Sequence, residues 1–126
     1  MAKTKILVAE DEKDIRELIA FTLRFAGFDV VLARNGAEAV EMAAAEDPDM
    51  IMLDVRMPKM TGYEACEKIK EDSKFDNTPI VFLSAKGQDA EIQKGLAVGA
   101  VAYILKPFVP DGLVNQVKDI LAKSQG

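Results

Sequence analysis

Five short apolar runs alternate along the chain with longer amphipathic stretches. The runs are KILVA (5–9), DVVLA (29–33), MIML (50–53), IVFL (80–83) and VAYIL (101–105). Apolar residues follow one another in these runs instead of alternating with polar ones, which is typical of parallel strands covered on both faces. The pattern therefore predicts five buried parallel strands.

The stretches between and after the runs repeat apolar residues at helical spacing, and this predicts five helices. The first is carried by Ile15, Leu18, Ile19, Thr22, Leu23 and Ala26, with Gly27 at a favoured helix end. The next three span about 36–46, about 62–72, with Cys66 and Ile69 inward, and about 89–98, with Ile92 and Leu96 inward. The last is carried by Leu113, Val114, Val117, Ile120 and Leu121. This (βα)5 order predicts an α/β fold, a doubly wound five-stranded parallel sheet.

Four of the five predicted strands run into a polar or charged residue. Glu10 and Asp11 follow the first strand, Asp54 the third, Ser84 the fourth and Lys106 the fifth. The carboxyl ends of the strands line the ligand crevice of an open α/β sheet, so we expect these side chains on one rim. The second strand, which ends in ARNG, contributes none, and this fits an edge position away from the site.

Composition and charge narrow the classes of protein further. The chain has 126 residues, of which 49% are hydrophobic and 29% charged, as in one globular domain. Its net charge of −5 argues against direct binding to nucleic acid or to an anionic membrane. Because it has one cysteine and no apolar run near the roughly 20 residues of a membrane helix, we expect a cytoplasmic protein.

The acidic residues expected on the rim need a compensating cation. Two carboxylates about 4 Å apart repel by roughly 4 kcal/mol at an effective dielectric constant of about 20. The chain has no histidine and one cysteine, which disfavours zinc and copper and favours Mg²⁺. A hydroxyl from Ser84 and an ammonium from Lys106 suit the oxygens of a phosphoryl group. The set predicts a phosphoryl-transfer site with a carboxylate nucleophile.

Four segments of the sequence carry a resemblance to a known family. They are LVAEDE (7–12), MLDVRMPKMTGYE (52–64), FLSAKG (82–87) and GAVAYILKPF (99–108). Together they resemble the receiver domains of two-component response regulators, typified by the single-domain chemotaxis regulator. The resemblance covers essentially the whole chain and implies the flavodoxin-like strand order 2-1-3-4-5. It predicts one receiver domain over residues 1–126 and no effector domain, unless the chain was cut from a longer protein.

The resemblance also implies a role for each acidic residue. Asp54 would accept a phosphoryl group from a histidine kinase or a histidine phosphotransfer protein. Asp11 and Asp54 would ligate Mg²⁺, for which Mn²⁺ is a possible substitute, together with Glu10 through a water and the backbone carbonyl of Arg56. The chain would then be a signalling domain and not an enzyme, apart from its own phosphotransfer and autodephosphorylation.

Further roles are implied for the last two strands. Lys106 would contact the acyl phosphate and Ser84 would hydrogen-bond it, while Tyr103 occupies the family's switch-aromatic position. The Lys106-Pro107 peptide would be cis. A downstream protein would bind the face formed by the fourth predicted helix, the fifth strand and the last helix.

Simpler roles stay open for each of these residues. Glu10 and Asp11 could cap the first helix, and Asp54 could be a turn residue. Lys106 could be a solvated lysine, Ser84 a strand-end hydroxyl, and Tyr103 a core side chain. These alternatives require four independent coincidences at four strand ends.

Three other classes of protein are alternatives. A haloacid-dehalogenase-type phosphatase needs a second acid two residues after its aspartate nucleophile, where this chain has Arg56. An FMN-binding flavodoxin needs a Ser/Thr-rich phosphate loop after the first strand, where the acidic AEDEKD would repel phosphate. The last alternative is a degenerate receiver that acts as an adaptor without phosphorylation.

Overall fold

The computed structural model describes residues 3–84, 94, 96–106 and 108–125. Strands and helices follow one another in the order β1 (Lys5–Ala9), α1 (Lys13–Phe25), β2 (Asp29–Ala33), α2 (Gly36–Glu46), β3 (Met50–Asp54), α3 (Gly62–Lys70), β4 (Ile80–Ser84), β5 (Ala102–Leu105) and a C-terminal helix (Pro110–Gln125). A short 3-10 helix, Ser73–Phe75, lies between α3 and β4. Every strand lies within one residue of its predicted bounds.

The strands form one parallel sheet in the order β2-β1-β3-β4-β5. The predicted doubly wound α/β fold with order 2-1-3-4-5 is confirmed. The second strand is an edge strand, as the sequence predicted. β3 lies at the centre of the sheet, where both of its faces are covered.

Two apolar layers cover the two faces of the sheet. Alternate strand residues point to opposite faces, so Leu7 joins one layer and Ile6 the other. The first layer packs against α2 and α3 through Ala39, Ala43, Ala65, Cys66 and Ile69. The second packs against α1 and the C-terminal helix through Ile19, Ala20, Leu23, Leu113, Val117 and Leu121. Burial on both faces explains why the strand sequences are continuously apolar.

Two leucines that were predicted to face inward are exposed. Leu18 on α1 is 46% exposed and Leu96 is 48% exposed. On α1 the inward face is filled by Ile19, Ala20 and Leu23, which leaves Leu18 on the outer side with Phe21. Ile92 and most of the fourth predicted helix lie outside the described residues, as does Pro107 of the peptide predicted to be cis. None of the helices in the described ranges is long and apolar enough to cross a membrane.

Local contacts and backbone conformation explain where α1 ends and where α3 begins. Gly27 adopts φ +100°, a left-handed conformation that glycine accepts at a helix end. At the start of α3 the Thr61 side chain accepts a hydrogen bond from the Glu64 N–H, and the Glu64 carboxylate accepts one from the Thr61 N–H. This reciprocal capping box fixes where α3 begins and so sets the length of the loop after Asp54.

The buried cysteine gives a prediction about reactivity. Cys66 lies in the first layer, where burial raises the pKa of its thiol to about 11. Since only the thiolate is nucleophilic, we expect reaction with a disulfide reagent near neutral pH to be about 100-fold slower in the folded protein than after unfolding in urea. The chain has one cysteine, so the absorbance of the released thiolate measures this site alone. Equal rates in the two states would contradict the prediction.

A pair of glycine variants tests how tightly the loop after Asp54 packs. A Cβ on Gly62 would meet the backbone carbonyl oxygen of Asp54, whereas one on Gly112 meets only the exposed Val109 side chain. We expect Gly62→Ala to lower the free energy of unfolding by about 1–3 kcal/mol, because backbone cannot move aside easily. Gly112→Ala, inside the C-terminal helix, should raise it by up to about 1 kcal/mol. Urea unfolding followed by circular dichroism measures both, and a stabilised Gly62→Ala protein would disprove the close contact.

Candidate functional site

The strands bring the predicted site residues to one edge of the sheet. Asp54 and Ser84 are the last residues of β3 and β4, while Glu10 and Lys106 directly follow β1 and β5. The parallel pairing continues at this edge, where the Lys106 N–H donates to the Ser84 carbonyl at 2.8 Å. The expectation that four strand ends meet is confirmed for the described residues.

Three carboxylates form a compact acidic cluster at this edge. Glu10, Asp11 and Asp54 each offer one oxygen, and these oxygens lie within 4.8 Å of one another. Glu10 and Asp54 are buried, whereas Asp11 is exposed. Oxygen ligands with one open side suit a hard divalent cation that keeps some of its water. The cluster could therefore hold a metal ion.

Lys106 lies between the two buried carboxylates. Its ammonium nitrogen is 2.9 Å from Glu10 Oε1 and 3.4 Å from Asp54 Oδ1. The Lys106 side chain is only 15% exposed and that of Glu10 is fully buried, so water screens these contacts weakly. The ammonium thus offsets part of the negative charge that the acidic residues bring together.

The surroundings shift the pKa values of both partners. Burial raises the pKa of Glu10, and hydrogen bonding to Asp54 raises it further, while Lys106 acts in the opposite direction. Burial alone would lower the pKa of Lys106, but the hydrogen bond that its ammonium donates to Glu10 and the negative charge of Asp54 outweigh burial, and the pKa lies above its ordinary value. The site therefore holds Lys106 charged and disfavours a second full negative charge beside Asp54.

Arg16 organises the turn that carries Glu10 and Asp11, and the sequence analysis missed it. Its guanidinium donates to the backbone carbonyls of Glu10 at 2.9 Å and of Asp11 at 3.3 Å. The capping alternative for these acids is wrong, because the N-cap of α1 is Glu12, which makes no side-chain cap bond. The Glu10 carboxylate instead accepts a hydrogen bond from the Glu12 N–H at 3.3 Å. An arginine one turn into the helix that follows the acidic turn was the available signal.

The loop after Asp54 is anchored at both ends by backbone hydrogen bonds. The Val55 N–H donates to the Leu83 carbonyl at 3.1 Å, and the Gly62 N–H donates to the Val55 carbonyl at 3.0 Å. Arg56, two residues after Asp54, is exposed at the start of this loop. These bonds fix the path of the backbone that directly follows Asp54.

Two tyrosines lie beside the site. Tyr103 is half-buried, and its ring packs on Phe82 with centroids 5.5 Å apart. Its hydroxyl lies 3.0 Å from the hydroxyl of Tyr63, which also packs on Phe82. The sequence analysis singled out Tyr103 but missed Tyr63, for which the only signal was an aromatic residue directly after the loop glycine.

An acidic cluster and a lysine at the carboxyl edge of a parallel sheet ordered 2-1-3-4-5 define a CheY-like protein of the flavodoxin-like fold class. The family model described as "Response regulator receiver domain" matches residues 6–118. The chain belongs to the response regulator receiver family, whose members act in phosphorylation-based two-component signalling.

Known relatives agree with this assignment. Over 121 residues the chain is 40% identical to the alkaline phosphatase synthesis transcriptional regulatory protein PhoP of Bacillus subtilis, covering 96% of this chain and 50% of PhoP. The chain thus spans about half the length of the curated relatives it matches. The structure is similar to that of chemotaxis protein CheY4 of Vibrio cholerae, with a TM-score of 0.92, 35% identity, and coverage of 94% of this chain and 99% of that one.

A third relative has a metal in its structure. The receiver domain of a sensor histidine kinase from Pseudomonas aeruginosa, at 29% identity and a TM-score of 0.88, has a magnesium ion coordinated in the active site cleft. That alignment covers 96% of this chain and 99% of the other. Membership in the receiver family decides against the phosphatase and the FMN binder, and the adaptor without phosphorylation stays an open alternative.

The crowded carboxylates give a prediction about stability. In the metal-free protein we expect Asp54→Asn to raise the free energy of unfolding by about 1 kcal/mol, because it removes repulsion from Glu10. The pKa of Glu10 is raised in the folded state, so protonated Glu10 stabilises the fold at low pH. This stabilisation is lost as the pH rises through the pKa of Glu10 in the folded protein, where Glu10 becomes charged beside Asp54. The gain should therefore be larger at about pH 8 than at about pH 5.

Urea unfolding in the presence of a chelator measures this gain at both pH values. Asp76→Asn, at an exposed position near the 3-10 helix, is the matched control and should change stability little. An Asp54→Asn protein that is less stable than the wild type at about pH 8 would show that the repulsion does not dominate.

Proposed function

We propose that Asp54 is the phospho-acceptor of this receiver domain and that its phosphorylation depends on Mg²⁺. The observation that carries the proposal is the Lys106 ammonium 3.4 Å from Asp54 Oδ1, beside three carboxylates whose oxygens lie within 4.8 Å of one another. A nucleophilic carboxylate, a set of metal ligands and a cation for phosphoryl oxygens thus share one edge of the sheet.

The acidic cluster supplies the ligands in this proposal. Asp11 and Asp54 ligate Mg²⁺ directly, the Arg56 backbone carbonyl is a further ligand, and Glu10 acts through a water; Mn²⁺ can substitute. The donor set supports this assignment, since it consists of oxygens alone and Asp11 faces solvent. When bound, Mg²⁺ neutralises negative charge on the transferring phosphoryl group.

The transfer itself uses residues of this chain. A carboxylate oxygen of Asp54 attacks the phosphorus of a phosphohistidine on a histidine kinase or phosphotransfer protein. An O–P bond forms as the N–P bond breaks, and the donor imidazole leaves with its electron pair. Lys106 pairs with a phosphoryl oxygen, which suits its raised pKa, and Ser84 donates a hydrogen bond to another. Hydrolysis of the acyl phosphate later returns the carboxylate.

The product then shifts the equilibrium between two packings of the domain. Contacts of Ser84 with the phosphoryl group favour the arrangement in which Tyr103 lies inward, and a ligand moves such an equilibrium only through contacts that differ between the two states. A downstream protein binds the face of β5 and the C-terminal helix, together with the fourth predicted helix. Exposed apolar residues in or next to β5 and the C-terminal helix support the assignment, namely Val101, Leu105 and Val109.

The net charge of the chain bears on nucleic acid as a partner. The relatives PhoP of Bacillus subtilis and PhoB of Pseudomonas aeruginosa are transcriptional regulatory proteins about twice the length of this chain. That these 126 residues make no direct contact with nucleic acid stays a prediction, supported by their net charge of −5.

Intact-mass measurement with acetyl phosphate and Mg²⁺ tests the proposal. We expect the wild-type protein to gain one phosphoryl group, and the gain to disappear with a chelator or in Asp54→Asn. Asp76→Asn is the matched control, because it removes an exposed carboxylate away from the site and should leave the gain unchanged.

Two results would contradict the proposal. A phosphoryl group still gained by Asp54→Asn would place the acceptor elsewhere, and a gain that persists with chelator would remove the metal. Where acetyl phosphate gives no product, the same measurement with a phosphorylated histidine phosphotransfer protein decides between a receiver that requires a protein donor and an adaptor that is never phosphorylated.

A further inference from the structure

Three aromatic rings form a cluster beside the candidate site. Phe82 is fully buried, with the Tyr63 ring 5.0 Å from it at 65° and the Tyr103 ring 5.5 Å from it at 52°. The two tyrosine hydroxyls are 3.0 Å apart, which is hydrogen-bond distance. The rings and hydroxyls close a triangle, which we call the aromatic triangle.

Each member of the aromatic triangle is tied to an element that carries a site residue. Tyr63 directly follows Gly62, which packs against the backbone of Asp54 and donates to the Val55 carbonyl. Phe82 precedes Ser84 by two residues on β4, and Tyr103 lies three residues before Lys106. The aromatic triangle therefore connects the start of α3 with β4 and β5, close to the strand ends that carry Asp54, Ser84 and Lys106.

Tyr63 is the more firmly held of the two tyrosines. Its side chain is buried in the first apolar layer. Its backbone belongs to the first turn of α3, which the Thr61–Glu64 capping box fixes. Tyr103 is half-buried on β5, which is an edge strand. Tyr63 can thus act as a fixed partner for a side chain with more freedom.

We propose that Tyr63 is a positioning residue that holds Tyr103 inward through the hydrogen bond between their hydroxyls. The inference rests on the proposed function, in which the inward position of Tyr103 accompanies phosphorylation of Asp54. The bond stabilises the half-buried position of Tyr103 in which the two hydroxyls are 3.0 Å apart, and it raises the population of that position before any phosphoryl group is present. Tyr63 thereby makes the domain easier to phosphorylate.

Fluorine NMR on protein labelled with 3-fluorotyrosine tests this directly. The chain has two tyrosines, so the wild type gives two resonances, and Tyr63→Phe leaves the resonance of Tyr103 alone. We expect the shift of this resonance between H₂O and D₂O, which reports solvent contact, to be larger in Tyr63→Phe than in the wild type. Circular dichroism checks that the variant is folded.

The rate of phosphoryl uptake from acetyl phosphate and Mg²⁺ is the second measurement. Loss of one hydrogen bond should lower the rate about threefold to tenfold in Tyr63→Phe. Tyr103→Phe removes the same bond from its other end and should also lower the rate, and the double variant should lower it by less than the two single effects combined. Additive losses in the double variant would overturn the proposal.

Lys94→Gln separates the hydroxyl bond from the packing of the Tyr63 ring. It removes the ammonium over the ring but leaves both hydroxyls, so we expect the Tyr103 isotope shift and the uptake rate of the wild type. A change as large as that of Tyr63→Phe would assign the effect to ring packing and overturn the proposal.

Failure of the inference and failure of the proposed function give different results. If the wild type takes up a phosphoryl group at Asp54 and Tyr63→Phe shows unchanged isotope shift and rate, only the role of Tyr63 is wrong. If the wild type takes up none, the proposed function is wrong for this phosphodonor, and the isotope shift still decides whether Tyr63 holds Tyr103.

Discussion

The contact on which the site depends is that of one ammonium with two buried carboxylates. Lys106, which follows β5, contacts Glu10 and Asp54, which lie at the ends of β1 and β3. Its positive charge offsets the negative charge of these two buried carboxylates, which would otherwise be costly to bury. Such a contact requires β1, β3 and β5 to end at one level. In the sheet order the central strand β3 carries Asp54, Glu10 follows the neighbouring strand β1, and Lys106 follows β5, which lies beyond β4.

Lys106 compensates the negative charge of the acidic cluster only in part. Lys106 contacts two of the three carboxylates, and the pKa of Glu10 is raised, first by its burial and then by Asp54. A rigid loop prevents the Asp54 segment from moving away, since Val55 is bonded on both sides and Gly62 packs against Asp54. The fold therefore maintains a concentration of negative charge that a divalent cation would relieve.

The sequence predicted the parts of this arrangement that follow from periodicity and strand ends. Continuous apolar runs predicted all five strands, and the residues after them predicted Glu10, Asp54, Ser84 and Lys106 on one edge. Helix faces were predicted less well, because Leu18 satisfies helical spacing yet lies on the outer side of α1. Arg16 and Tyr63 were missed because their contacts depend on side-chain direction in three dimensions, which spacing along the chain does not specify.

The aromatic triangle explains how a local event beside Asp54 could reach a surface on β5. In the proposed function Ser84 and Lys106 contact the phosphoryl group, and the backbone hydrogen bond between these two residues joins the ends of β4 and β5. Phe82 lies under both tyrosine rings, so a movement at the end of β4 changes the packing available to Tyr103. Because packed cores have few alternative arrangements, such a movement selects between discrete positions of Tyr103 instead of deforming the sheet gradually. In the role proposed for Tyr63, its hydroxyl favours the position of Tyr103 in which the two hydroxyls are 3.0 Å apart.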